Sequence, residues 1–136
     1  MPFTPAEEAR IVNLVRRAAR AEILPRFRAL SAAEVTEKSG PDDLVTAADT
    51  AAEAMIARGL AALFPGALIV GEEAAEADPQ LTDRIAEAEL SFVVDPVDGT
   101  WNYARGLPLF GVILAACRHG APVWAMILDP VCDDWI

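Results

Sequence analysis

The sequence predicts an α+β fold built in layers, and two observations carry that prediction. Apolar residues recur at helical spacing early in the chain, whereas short apolar runs lie next to one another late in it; helices first and strands last favours layering over strict strand–helix alternation. The 136 residues, 54% of them hydrophobic, suffice for the core of one ordinary domain. No repeat, linker or low-complexity segment divides them, so residues 1–136 are read as a single domain.

The chain opens on a helix signal. Thr4 and Glu7 form a capping-box pair, Pro5 takes the first helical position, and Ile11, Leu14, Val15 and Ala18 share one face. This helix is expected to reach about Leu24, where Pro25 kinks or ends it and a second piece resumes through Leu30, since proline removes one hydrogen bond and crowds the preceding turn. Ser31 to Asp43 is polar, with Ser39-Gly40-Pro41 as a breaker. A second helix is expected from near Asp49 to Phe64, stopped by Pro65-Gly66. Ala67 to Val70 reads as a short buried strand ending at Gly71-Glu72-Glu73, Ala74 to Pro79 as an acidic loop, and Thr82 to Glu89 as a weak helix. Leu90 to Val94 is a further apolar run, ending abruptly in Asp95-Pro96-Val97-Asp98-Gly99-Thr100 and followed by a short helix through Trp101-Asn102-Tyr103-Ala104. Val112 to Arg118 and Val123 to Leu128 read as strands joined by a hairpin-like turn at His119-Gly120-Ala121-Pro122.

Charge narrows the function. Lys+Arg 11 against Asp+Glu 21 gives a formal net charge of −10, which argues against gripping a nucleic-acid backbone and favours basic partners or metal ions. Lys38 is the single lysine, so a lysine-built phosphate cradle would rest on it alone. The N-terminal residues lack a basic segment followed by an apolar one, and the longest strongly apolar stretch, Leu107 to Cys117, is far short of a membrane span; neither a signal peptide nor a membrane segment is expected. Cys117 and Cys132 read as reduced thiols of a cytoplasmic protein, small core residues on apolar strands. His119 reads as a solvated turn residue, and Trp124 and Trp135 as core or interface side chains. The stop at Cys132-Asp133-Asp134-Trp135-Ile136, in what reads as the opening of another strand, would leave an unpaired edge, so the chain is expected to be half of a larger fold.

Chemistry concentrates where apolar runs end in carboxylates. Like charges held close push each other toward protonation unless a cation lies between them, and a divalent metal meets that need. In Asp95-Pro96-Val97-Asp98, Pro96 keeps Asp95 out of helical geometry, which lets two carboxylates and the Val97 carbonyl converge on one point. Hard oxygen donors of this kind select magnesium, manganese or calcium over zinc. The backbone N–H groups of Gly99 and Thr100, opening a short helix, suit a phosphate without any basic side chain. Taken alone, Asp-Pro-x-Asp-Gly also describes an ordinary turn. Glu73, Glu76 and Asp78 read as a solvated acidic loop, with Glu73 a candidate for supporting the site.

Context weighs against the turn. Lys38-Ser39-Gly40-Pro41-Asp42-Asp43-Leu44-Val45-Thr46-Ala47-Ala48-Asp49, then Gly71-Glu72-Glu73, then Asp95-Pro96-Val97-Asp98-Gly99-Thr100-Trp101-Asn102-Tyr103 together resemble the inositol monophosphatase family in order and spacing. The resemblance implies a layered αβαβα sandwich, of which this chain would hold the N-terminal half: two long helices and part of an antiparallel sheet. It implies a Mg²⁺-dependent, lithium-sensitive phosphatase of small phosphate monoesters, with Mn²⁺ as a possible substitute. Glu72, Asp95, Asp98 and the Val97 carbonyl would be metal ligands; Asp98, Gly99 and Thr100 would contact phosphate; Glu72 and Thr100, supported by Asp49, would position and deprotonate the attacking water without a covalent phosphoenzyme. Lys38 matches a lysine near the site in the family, a solvated loop lysine being the alternative.

Trp101-Asn102-Tyr103 follows the form of inositol and histidinol phosphatases, where the nucleotide branch carries Lys-Glu, so a 3′(2′),5′-bisphosphate nucleotidase is the alternative within the superfamily. Trp101 departs from the more usual threonine and, with Leu107 to Val112, leans toward the histidinol-phosphatase-like members. A segment of the form Trp-Asp-x-Ala/Ser-Ala/Gly-Gly, the family's source of a further metal-ligating aspartate, is not found; Asp134-Trp135 reverses it. The expectation is half an active site acting on a small phosphorylated substrate, homodimeric at full length, with no nucleic-acid or membrane partner. Otherwise the chain is a non-catalytic fragment that associates through its open sheet edge.

Overall fold

Thr4 opens the first helix of the computed structural model, which describes residues 2–136. Its hydroxyl accepts from Glu7 N–H at 3.2 Å while Glu7 Oε2 accepts from Thr4 N–H at 2.7 Å, the reciprocal box foreseen. Helix α1 (Pro5–Ala18) buries Ile11, Val12, Leu14, Val15 and Ala18. Beyond Ala18 the path is not a plain α-helix to Leu24. It widens into a π turn over Ala19–Ile23 and tightens into a 3₁₀ turn over Leu24–Arg26, because Pro25 has no N–H for the carbonyl ahead of it. Nor does a second piece resume to Leu30: Phe27 is extended and Arg28 takes φ 63°.

The polar stretch before the second helix is a hairpin, β1 (Val35–Gly40) antiparallel to β2 (Asp43–Thr46), with Val35 opposite Thr46 and Thr36 opposite Val45. Leu44 and Thr46 alternate inward on β2, a period hidden by the hairpin's polar composition. Helix α2 (Ala47–Leu63) starts earlier than Asp49 because Thr46 is the cap; its hydroxyl accepts from Ala48 N–H, and Asp49 closes the box. The expected acidic loop after β3 (Leu68–Gly71) is a helix instead, α3 (Glu72–Ala77). The weak helix to Glu89 shrinks to α4 (Gln80–Asp83) and one 3₁₀ turn.

A five-stranded sheet follows the order β3-β4-β5-β6-β7, with β4 at Ser91–Asp98, β5 at Gly111–Arg118, β6 at Ala121–Asp129 and β7 at Asp134–Trp135. The β3–β4 pair is parallel and the others are antiparallel, a mixed sheet with helices on one face. Phe92, Val94, Val112, Leu114, Met126 and Leu128 point from the sheet into the core shared with α1 and α2. There Phe3 stacks on Phe92 at 5.9 Å and Tyr103 donates to the Ile23 carbonyl at 2.7 Å. The alternate residues Val123 and Ile127 face outward, 37% and 46% exposed.

Cys117 is buried on β5, but Cys132 is exposed rather than a core residue. It sits in a turn whose N–H groups are held by Asp129 Oδ1. Trp124 packs edge-on against Phe3 and donates to Glu8 at 3.0 Å, while Trp135, 37% exposed, stands on β7 opposite Leu128. Among the described residues no helix is long and apolar enough to cross a membrane.

Candidate active site

Strand register sets the first contact of the site. Gly71 pairs with Val94 in the parallel ladder, so the next residues on the two strands, Glu72 and Asp95, leave the same end of the sheet side by side. One residue further the ladder breaks. Asp95 pairs with Ile113 and Asp98 with Gly111, so β4 carries an extra residue in a bulge containing Pro96, which has no N–H to pair. The bulge turns Val97 inward, 1% exposed, and leaves Asp98 exposed.

Gly99 reverses the chain at φ 90°, and a Cβ there would lie 2.8 Å from the Leu109 carbonyl oxygen, so glycine is required on two counts. Helix α5 (Thr100–Ala104) follows, its first return bond running from Tyr103 N–H to the Gly99 carbonyl. The earlier N–H groups of its first turn have no partner within the helix. Thr100 Oγ1 lies 2.9 Å from Asp49 Oδ1 and 2.8 Å from the Val97 carbonyl oxygen, with one hydroxyl proton for two acceptors. Asp49 is fully buried at the start of α2, and its other oxygen accepts from Thr46 N–H and Oγ1. Burial lifts its carboxyl above the ordinary range, opposed by the hydrogen bonds from Thr46 and Thr100.

Asp42, Glu72, Asp95, Asp98, Thr100 and Trp101 line one cavity of about 230 Å³, with Asp49 reaching it through Thr100. A larger groove of about 570 Å³ between α1 and α2 is lined by Arg10, Arg16, Arg17 and Arg20, and no carboxylate lines it. Lys38 comes to the acidic side from β1, only 11% exposed, its Nζ 3.6 Å from Glu72, 3.2 Å from Glu73 and 2.6 Å from Glu76. Burial pulls its ammonium down, yet the hydrogen bonds to Glu76 and Glu73 and the surrounding glutamates hold it above the usual lysine range. Glu73 and Glu76 are therefore ion-paired to Lys38 on a helix rather than part of a solvated acidic loop, whereas Asp78 is exposed and has no basic partner among the described residues.

Sequence reasoning missed Glu53. This α2 residue is 9% exposed, and its carboxylate accepts from Glu73 N–H at 2.8 Å and Ala74 N–H at 3.0 Å, capping α3 in place of Gly71, which has no side chain. It thereby fixes the helix whose first residue is Glu72. The signal was available: Glu53 falls on the buried stripe Asp49, Ala52, Ile56 and Leu60, where an unpaired charge is costly.

Electrostatics tests whether a cation fits. Burial, then the facing Glu72 carboxyl, then Asp98 and Asp49, push Asp95 up to about 8, and its Oδ1 is buried without a hydrogen-bond partner. No basic side chain among the described residues pairs with Asp95 or Asp98. An all-oxygen donor set with an orphaned carboxylate oxygen fits a hard divalent cation. The carboxylates are not drawn in around a single point: no group of three metal-ligating side chains is gathered among the described residues.

Comparison with known proteins matches residues 6–136 to the inositol monophosphatase family. The chain belongs to that family. Inositol monophosphatase 2 of Solanum lycopersicum is 36% identical over 101 residues, covering 72% of this chain and 36% of that protein. Nus factor SuhB of Escherichia coli strain K12 is 34% identical over 124 residues, covering 89% of this chain and 44% of its own length. The crystal structure of extragenic suppressor protein suhB from Bartonella henselae superposes with a TM-score of 0.76 at 28% identity, covering 96% of this chain and 46% of that one. The fold is that of the family, and the chain spans under half the length of these relatives.

Proposed function

We propose that this chain carries the cation and phosphate contacts of a Mg²⁺-dependent phosphatase acting on a small phosphate monoester of the inositol or histidinol type. The observation that carries the reading is the juxtaposition of Asp95, its Oδ1 buried and unpartnered, with Glu72 beside it and the Thr100 hydroxyl held by Asp49. Glu72, Asp95, Asp98 and the Val97 carbonyl would hold the cation, Mg²⁺ or Mn²⁺. When bound, it neutralises phosphate charge and makes hydroxide available near neutral pH.

The chain's own residues do the rest. Asp49 as a carboxylate would accept the hydrogen bond that the Thr100 hydroxyl donates, which leaves a lone pair of the Thr100 oxygen to accept a hydrogen bond from the attacking water. Glu72 would receive that water's proton. Gly99 and Thr100, both lining the cavity, would offer their N–H groups to the phosphate. Trp101-Asn102 in place of Lys-Glu favours this reading over a nucleotide 3′-phosphatase.

The test has two arms. Calorimetric titration with Mn²⁺ or Mg²⁺ is expected to show binding that Asp98→Asn weakens at least tenfold. Release of inorganic phosphate from inositol and histidinol monophosphates is expected to require Mg²⁺ and to vanish in Asp98→Asn. Release that survives both chelation and the substitution refutes the assignment.

A further inference from the structure

The β1–β2 hairpin forms one wall of the cavity through Asp42, Asp43 and Leu44, yet it pairs with itself and joins no other strand. A lone two-stranded ribbon is marginally stable, so something must hold it. Next to its tip Lys38 reaches Glu72, Glu73 and Glu76, and at its base Thr46 caps α2. At its tip, over residues 39–43, two side-chain hydrogen bonds are formed among the described residues. Ser39 to Asp43, at 2.5 Å, stays inside the turn; Trp101 Nε1 to Asp42 Oδ1, at 3.1 Å, ties the turn to α5. The indole is itself held, with the guanidinium of Arg105, one helical turn on, 4.0 Å from its ring centroid.

We propose that Trp101 is a positioning residue: its indole N–H clasps the hairpin tip at Asp42 and so holds the Asp42–Leu44 wall, and with it Lys38, against the carboxylate cluster. The inference deepens the phosphatase reading and rests on it only for its catalytic consequence. Three features support it. Indole is a donor with no acceptor capacity and Asp42 offers oxygen acceptors, so the pair is chemically one-directional. Trp101 directly follows Thr100, so the group that anchors the hairpin and the group that faces the phosphate share one short helix. Finally, Trp101 is 36% exposed and contributes little to the core, so its size is not explained by packing.

Amide hydrogen exchange on the full chain tests this without substrate or metal. Trp101→Phe keeps the ring and its Arg105 stack but loses the N–H; Asp42→Ala removes the acceptor; Asp42→Asn retains an acceptor oxygen. Trp101→Phe and Asp42→Ala are each expected to raise exchange over residues 36–45 by about fivefold, the factor one net hydrogen bond carries, while Asp42→Asn stays near wild type and α1 and β4–β6 keep their protection. Unchanged hairpin exchange in Trp101→Phe overturns the clasp, and so does a loss of protection spread equally over α2 and β4. A hairpin loosened by Trp101→Phe in a chain that binds neither Mg²⁺ nor Mn²⁺ keeps the clasp and sinks the phosphatase reading. Mg²⁺-dependent release with hairpin exchange unchanged does the reverse.

Discussion

Glu53→Ala and Gly71→Ala should each unseat α3, and their effects should not add. Glu53 Oε2 and Oε1 accept from Glu73 and Ala74 N–H at 2.8 and 3.0 Å, and each such bond to a charged group contributes about 1.5–3 kcal/mol in favourable settings. Two effects reduce the sum: removing the carboxylate also removes its burial penalty, and the freed N–H groups, at a helix start, can turn to water. The net loss for Glu53→Ala is then of the order of a lost helix cap, about 1–2 kcal/mol. Gly71 has an ordinary φ of −87°, so alanine suits its backbone, but the added Cβ would overlap Glu53 Cδ. Its cost, again about 1–2 kcal/mol, therefore arises by pushing Glu53 off the cap. Once Glu53 is alanine the clash has gone, and Gly71→Ala should cost next to nothing further. Urea denaturation of the four members of this cycle, with equal m-values, measures the coupling directly. Costs that simply add would show that Gly71 is needed for some other reason and that the cap is not what these residues share.

Asp95→Asn should flatten the pH dependence of stability. The folded chain holds the Asp95 proton up to about pH 8 whereas the unfolded chain releases it near the ordinary value of 3.8, so this group's stabilising contribution is full below the lower value and lost as pH rises through the upper one. In chelator at pH 8 the variant should melt higher than wild type, and a variant that loses more stability than wild type between pH 5 and 8 would contradict the assignment. Tyr103→Phe removes one of two donors to the Ile23 carbonyl, the other being Phe27 N–H at 3.1 Å, and should cost about 0.5–1.5 kcal/mol in the same denaturation assay; a neutral result would mean that the Phe27 bond alone satisfies this oxygen.

Where signals were local, the sequence was readable. Thr4 with Glu7 gave the start of α1, the apolar runs gave β3, β4, β5 and β6, and His119-Gly120 gave the turn between the last two of these, with His119 at φ 48°. The elements that escaped depend on partners distant in sequence. Glu72–Ala77 is helical with its cap supplied by Glu53, about twenty residues back, and no window around 72–79 contains that group. The hairpin at Val35–Thr46 escaped because its outward side is polar and its inward side short, leaving composition to suggest a loop. The acidic residues picked out by motif do meet around one cavity, but Asp49 meets it through Thr100 rather than directly. The Asp42–Trp101 contact was beyond reach, since nothing in either local sequence names the other residue.

The parallel pairing of β3 with β4 also carries a kinetic consequence. Strands β4, β5 and β6 follow one another as an antiparallel meander, whose closures are short. Strand β3 joins β4 only after residues 72–90 have been looped out and folded back, a slower closure whose entropy must be met before its contacts form. Its docking ends by bringing Glu72 against Asp95. The closure that docks β3 is thus the step at which two carboxyl groups meet, and refolding through it should run faster in mild acid, where one of them keeps its proton, than at pH 8.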